Sequence, residues 1–230
     1  MSQFLKFVLP KALESPTAIA PNLRIHTRER RYWVEKIEPV RRLLLAHGAP
    51  MEYTPGRTET LLTTVYLDTP EGTWSQGASS VKFRCRRYQD SDTWWFELKR
   101  RVSGVVDKWR RPVAASELAA LLTGANRPEL IEHFTDGQPL RPLFATRYYR
   151  TAFQWPGGLR VTLDRDIAFY HVEREAPFEF RRRIGGLEGY VIEVKVEGLG
   201  PLWLAEALVE YRINEFSKSK RALSALRGTT

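Results

Sequence analysis

Cysteine is almost absent. Cys85 is the single one in 230 residues, so no intrachain disulfide can form and a reducing compartment is compatible. Its expected role is core packing, because no histidine is evidently paired with it. The histidines, His26, His47, His133 and His171, are scattered without metal-ligand spacing. No cysteine pair and no HExxH occurs, which argues against zinc. A GxxxxGK[ST] loop and a GxSxG elbow are also missing, and Gly157-Gly158 and Gly185-Gly186 read as turns. No apolar run approaches the roughly 20 residues that a membrane span needs. The start, FLKFVLPKALESP, is interrupted by Lys6, Pro10 and Lys11 and lacks a signal-peptide core. These absences predict a soluble, cytoplasmic protein, and neither an internal repeat nor a low-complexity segment appears.

Acidic residues are the minority charge, 27 against 36 Lys and Arg, giving a net charge of +9 and a pI near 9.8. Such a balance points to anionic partners without choosing among nucleic acid, anionic lipid, nucleotide and polyphosphate. The excess is concentrated. Between Val81 and Arg111 ten Lys or Arg stand against four acids. Lys82, Arg84 and Arg86 alternate, as do Glu97, Lys99 and Arg101, then Lys108 and Arg110. Residues two apart on a strand share a face, so each run presents one charged row. An exposed, solubilising sheet face is one reading. The other is a phosphate site, because neighbouring rows of like charge repel unless a polyanion or interleaved carboxylates compensate them.

The remaining chain supplies strands with helices between them. Residues 1–23 form a Pro-punctuated arm, and a single domain spans 24–230. RIHTRERRYWV (24–34) reads as the first strand, followed by a short helix with Pro39 in its first turn and Gly48 as its stop. LLTTVYLDTPEG (61–72) reads as a strand and turn. One or two helices carry Leu118, Leu121, Leu122, Leu130 and Ile131. A hairpin turns at Pro156-Gly157-Gly158, a strand covers 189–198, a helix begins at Pro201, and a last helix is capped by Ser217. About eight strands result. The mixing of Glu29, Glu97 and Glu193 with many cations predicts an α+β fold in which an antiparallel eight-stranded β-barrel encloses a polar lumen, with helices at its outside and ends.

Several motifs then line up in order: Glu29-x-Arg31-Tyr32-Trp33-Val34, Val65-Tyr66-Leu67-Asp68-Thr69, Arg84-x-Arg86, Glu97-x-Lys99, Lys108-x-Arg110, Tyr149-Arg150-Thr151, Leu159-Arg160-Val161-Thr162-Leu163-Asp164, Val191-Ile192-Glu193-Val194-Lys195 and Phe216-Ser217-Lys218. On these residues the chain resembles the VTC-type polyphosphate polymerase domain of the triphosphate tunnel metalloenzymes, relatives of the CYTH triphosphatases. The resemblance implies a basic tunnel, with Arg31, Lys82, Arg84, Arg86, Lys99, Lys108, Arg110, Arg150, Arg160 and Lys218 as phosphate-binding residues. Lys218, Arg84 and Arg86 are implied to act on the transfer itself. It implies Glu193 as the ligand of Mn²⁺ or Mg²⁺, with Glu29 and Glu97 as second candidates.

ATP, phosphate and polyphosphate are the implied partners, and nucleic acid is not expected although Tyr88, Trp94, Trp95 and Trp109 interleave with cations. Product export through a membrane would fall to a separate protein. Two departures matter. Thr27 stands where the hydrolase branch has its first Glu, and Glu215 where the eukaryotic polymerase branch commonly has Lys. The expected activity is therefore ATP-dependent polyphosphate polymerisation, with a triphosphatase and a non-catalytic polyphosphate-binding module as alternatives.

Overall fold

The computed structural model describes residues 23–25, 28–77, 80–89, 91–102, 105–123, 135, 137–173, 176, 179–196, 200–211 and 217–228. The arm expected over 1–23 lies outside that set except for Leu23, as do Thr27, Leu130, Ile131, Glu215 and Phe216.

The strands are β1 (Leu23–Ile25), β2 (Arg28–Val34), β3 (Glu59–Asp68), β4 (Val81–Tyr88), β5 (Trp94–Val102), β6 (Val105–Val113), β7 (Arg141–Gln154), β8 (Arg160–His171), β9 (Arg183–Leu187) and β10 (Tyr190–Val196). The helices are α1 (Glu38–His47), α2 (Ala115–Thr123), α3 (Leu202–Leu208) and α4 (Lys218–Gly228). Every ladder is antiparallel, in the order β1-β6-β5-β4-β3-β7-β8-β10-β2, with β9 beside β8. The two ends of this order, β1 and β2, are consecutive in the chain. The stretch read as one strand over 24–34 thus pairs first with β6 and then with β10. The sheet rolls into a tunnel: Glu29 on β2 reaches Lys99 on β5, Oε2 to Nζ 3.6 Å, although they lie near opposite ends of the ladder order.

Period-two alternation sorts the side chains. On β4 and β5, Phe83, Cys85, Phe96 and Leu98 point outward and are buried under α2 through Leu118, Leu121 and Leu122. Lys82, Arg84, Arg86, Glu97 and Lys99 occupy the alternate, inward positions. Burial pushes the Cys85 thiol pKa up, in keeping with a packing role. On the opposite wall, α1 and α3 cover Phe153, Val161, Leu163, Ile192 and Val194 with Val40, Leu44, Leu204 and Leu208.

A bulge divides β8. The register against β7 shifts between Arg147 and Tyr149, so one extra residue of β8 inverts the inward–outward parity of the strand's second half. Before the bulge, Arg160, Thr162 and Asp164 face the lumen; beyond it, Ile167 and Phe169 join the apolar seat of Tyr66, Phe144 and Ile184 on which Ala222 of α4 packs. Gly185-Gly186, read as a turn, instead lies within β9. A Cβ on Gly185 would meet that of Ala225 at 3.2 Å, and one on Gly186 would meet the Ile167 carbonyl oxygen at 2.6 Å. The glycines let α4 and β8 come close, and without side chains they gave no alternation by which β9 could be recognised.

Candidate active site

The lumen holds a cavity of about 500 Å³ whose wall includes Glu29, Arg31, Lys82, Arg84, Arg86, Lys99, Arg150, Glu193 and Lys218. Strands from opposite sides of the roll supply these groups, and α4 supplies Lys218. The wall also includes Tyr66, Tyr148, Lys195, Ser217, Ser219 and Lys220, which were not anticipated as site residues. The alternation Glu193-x-Lys195 carried a signal for Lys195. Tyr148 and Lys220 carried none, since their place depends on the roll and on the docking of α4.

Glu193 faces Arg31 across the β10–β2 ladder, and Lys195 faces Glu29. Arg31 donates from Nε to Glu193 Oε2 at 3.3 Å and pairs with Glu29, while Lys195 Nζ lies 3.0 Å from Glu193 Oε1. Burial raises the Glu193 pKa, but Lys195, Arg150, Lys218 and Arg31 outweigh it and hold the carboxyl well below its usual range. The lysines show the converse. Lys99 is pushed down to about 7, by burial first and then by Arg84, Lys195 and Arg31 against the pull of Glu193. Burial, with Lys99 and Arg31, lowers Lys82 to about 8. Burial is the larger cause of both shifts, and the neighbouring cations, which outnumber Glu29 and Glu193 on this wall, add to it.

Glu97 occupies a different place. It is buried, and Arg84 Nε (2.7 Å), Lys108 Nζ (3.2 Å) and Arg110 Nε (3.3 Å) converge on its carboxylate. Arg110 also lies over the Trp95 ring, 4.0 Å from its centroid. Lys108, Arg110 and Glu97 are outside the cavity wall, and so is Arg160, which faces Lys195 in the β8–β10 ladder.

Asp164 is buried as well. Arg150 donates to both its oxygens, Nε to Oδ1 at 2.6 Å and Nη2 to Oδ2 at 2.7 Å, and Lys218 Nζ lies 2.5 Å from Oδ2. Burial raises its pKa, but Arg150 and Lys218 outweigh that and lower it. Lys218 also sits over the Tyr148 ring at 5.0 Å. One carboxylate therefore ties the start of α4 to a cation of the barrel. A Ser217 hydroxyl accepts from the Lys220 amide at 3.4 Å, the expected cap.

For a metal, the cavity wall offers Glu29 and Glu193, which flank Arg31. No cluster of three or more His, Cys, Asp or Glu with metal-binding geometry occurs among the described residues. Two carboxylates fit Mg²⁺ or Mn²⁺, hard cations that accept one or two protein oxygens and complete their shell with water and phosphate oxygens. Glu97, fully engaged by cations, fits that role poorly.

Comparison with known proteins adds the family and the fold. The VTC domain family matches residues 26–226. No curated protein matches the chain. Among solved structures, an adenylate-cyclase-like protein from Bacillus halodurans superposes with a TM-score of 0.54 at 18% identity, over 86% of this chain and 98% of its own. An adenylyl-cyclase-like protein from Hippeastrum, described as having a dominant triphosphatase activity, gives 0.53 at 17% identity, over 85% and 94%. A Vibrio parahaemolyticus adenylate-cyclase-like protein gives 0.52 at 12% identity, over 85% and 97%. At these identities the likeness is one of fold.

Proposed function

The chain belongs to the VTC domain family, with the triphosphate tunnel fold, and from that premise we propose that it is a metal-dependent polyphosphate polymerase. It moves the γ-phosphoryl of ATP onto phosphate or a growing polyphosphate chain and releases ADP. An acceptor phosphate oxygen forms the new bond to the γ-phosphorus as the bond to the β,γ-bridging oxygen breaks, and the electron pair leaves on ADP.

The observation that carries this reading is the state of the two cavity carboxylates. Glu29 is paired with Arg31 and Lys99, and Glu193 with Arg31 and Lys195. Neither is a competent base for deprotonating water, and a phosphate acceptor, already anionic, needs none. The cations do the rest. Arg31, Lys82, Arg84, Arg86, Lys99 and Arg150 grip the phosphates and neutralise charge in the transition state, the main demand of phosphoryl transfer. Lys218 brings a further cation from α4, while Lys108 and Arg110 act through Glu97 by holding Arg84's partner in place. Glu193, with Glu29 as second donor, would hold Mn²⁺ or Mg²⁺, which neutralises and orients phosphate oxygens when bound.

One observation favours the triphosphatase as second reading. A protein of the same fold, the one from Hippeastrum, is described as having a dominant triphosphatase activity, and water could take the place of the acceptor phosphate in such a cavity. Incubation of the purified chain with ATP and Mn²⁺, then Mg²⁺, separates the two. A polyphosphate ladder with matching ADP is expected; free phosphate without chains would make the protein a triphosphatase, and no turnover with saturable polyphosphate binding would make it a binding module.

A further inference from the structure

Exposed apolar surface gathers on one wall. Among the described residues, the large hydrophobic side chains left open to solvent are Leu45, Leu202, Val209 and Tyr211. Leu45 belongs to α1, Leu202 begins α3, and Val209 and Tyr211 belong to the 3-10 turn (Val209–Tyr211) that continues α3. Leu202 is 71% and Val209 70% exposed. Seven positions apart, they face the same way, while Leu204 and Leu208 turn into the core. Single scattered hydrophobics need no explanation, but a group on two neighbouring helices marks an interaction surface.

The two helices are neighbours by their packing. His47 of α1 stacks on Trp203 of α3, with ring centroids 4.0 Å apart and planes 9° from parallel. Val40 and Leu44 of α1 share one apolar cluster with Leu204 and Leu208 of α3, over Val161, Ile192 and Val194 of the barrel.

Their outward charges differ in sign. α1 presents Arg41 and Arg42, whereas α3 and its turn present Glu206 and Glu210, and all four are exposed. None of them makes an ion pair among the described residues. With Glu38, α1 holds one acid and two arginines, and α3 with its turn holds two acids and no base, so these helices carry −1 in a chain of +9. Two copies of so basic a chain repel each other in general. On this wall the repulsion is absent.

We propose that the α1–α3 wall joins two copies of the chain about a two-fold axis, with α1 of each lying on α3 of the other. A two-fold contact uses the same patch twice and must complement itself; a basic helix beside an acidic one does so. Arg41 and Arg42 of each copy meet Glu206 and Glu210 of the other, with Leu45, Leu202 and Val209 enclosed between the four helices. An anionic bilayer fits the wall less well, because both glutamates would face its headgroups. The contact takes no residue from the cavity wall, so both tunnels remain available.

Sedimentation equilibrium of the full chain from about 1 to about 100 µM, a range that spans a micromolar dissociation constant, tests this. The mass should rise from the 26.6 kDa of one chain towards twice that value. Glu206→Arg with Glu210→Arg, and separately Arg41→Glu with Arg42→Glu, set like charges together and should each weaken the dimer by roughly a hundredfold or more. Mixed in equal amounts, the two variants recover both opposite-charge contacts, and dimer should return. All four positions are exposed, and unchanged thermal midpoints would show that the variants fold. A chain that stays monomeric at the highest concentration overturns the proposal. So does a dimer that both folded variants leave intact, or a mixture that stays monomeric. A monomer that co-sediments with phosphatidylglycerol vesicles and loses that binding in Leu202→Glu would give the wall to a membrane, and overturns the proposal too.

Discussion

Lys99 shows how far burial changes a residue that the sequence presents as one cation in a row. In the ligand-free protein it titrates near 7, and a bound polyanion would move that value back up. Binding should therefore take up a proton, and affinity for long-chain polyphosphate should fall as pH rises above 7, by at most about tenfold per unit for a single group. Internal phosphates do not titrate there, so the slope belongs to the protein, and Lys82, at about 8, adds in the same direction. Tryptophan fluorescence titrations at fixed ionic strength measure it. Lys99→Arg, which stays charged, should flatten the profile; a flat profile in the unmodified protein would refute the assignment. In the empty protein the unfolded chain binds this proton near about 10.4 and the folded chain only near 7, so the group lowers stability as pH falls through that window.

Glu97 makes the opposite case, a carboxylate needed for structure. Removing its charge by Glu97→Gln leaves Arg84, Lys108 and Arg110 crowded without compensation, and a loss of about 3–5 kcal/mol is expected from the urea midpoint. Its carboxyl is held well below the usual range. The stabilisation is therefore present above the unfolded value of about 4.3 and is lost only as pH falls through the lower folded value.

At the scale of elements, α4 is held by an apolar face on one side and by Asp164 on the other. Ala222 packs on the seat that the β8 bulge provides, and Lys218 reaches Asp164 at 2.5 Å. Asp164→Asn should loosen the start of the helix, with amides of α4 exchanging about tenfold faster or more while β3 and β7 keep their protection. Uniform acceleration across the sheet would mean that Asp164 supports the barrel as a whole. The helix and its Ser217 cap were legible from hydrophobic spacing and a capping serine. The bulge was not, because a one-residue insertion leaves no compositional trace, and Gly185-Gly186 resembled a turn because glycine's role in close packing appears only beside the helix it admits.

Across the whole molecule, the two ends of the ladder order meet through one N-terminal stretch, and the roll gathers charges from distant strands into one cavity. Glu193→Gln should lower metal-dependent turnover on the order of a hundredfold or more, while polyphosphate binding is kept or tightened because a negative group has been removed. Assays of both on the same preparation check this, and undiminished turnover would remove Glu193 from the metal site.

By itself the sequence determined that charged and apolar residues alternate along the strands, because a period of two is written directly in residue order. That was enough for an antiparallel barrel with a polar lumen and for helices laid over its outside, while the resemblance to the family rested on the ordered motifs and not on the alternation. Only the tertiary structure decided which charges share the cavity and which compensate one another. Glu29, Glu97 and Glu193 look alike in the chain, yet Glu97 is buried among three cations while the other two flank Arg31 on the cavity wall. The reason is geometric. Alternation says which face a residue takes, but only the closure of the sheet and the docking of α4 say what stands across from it.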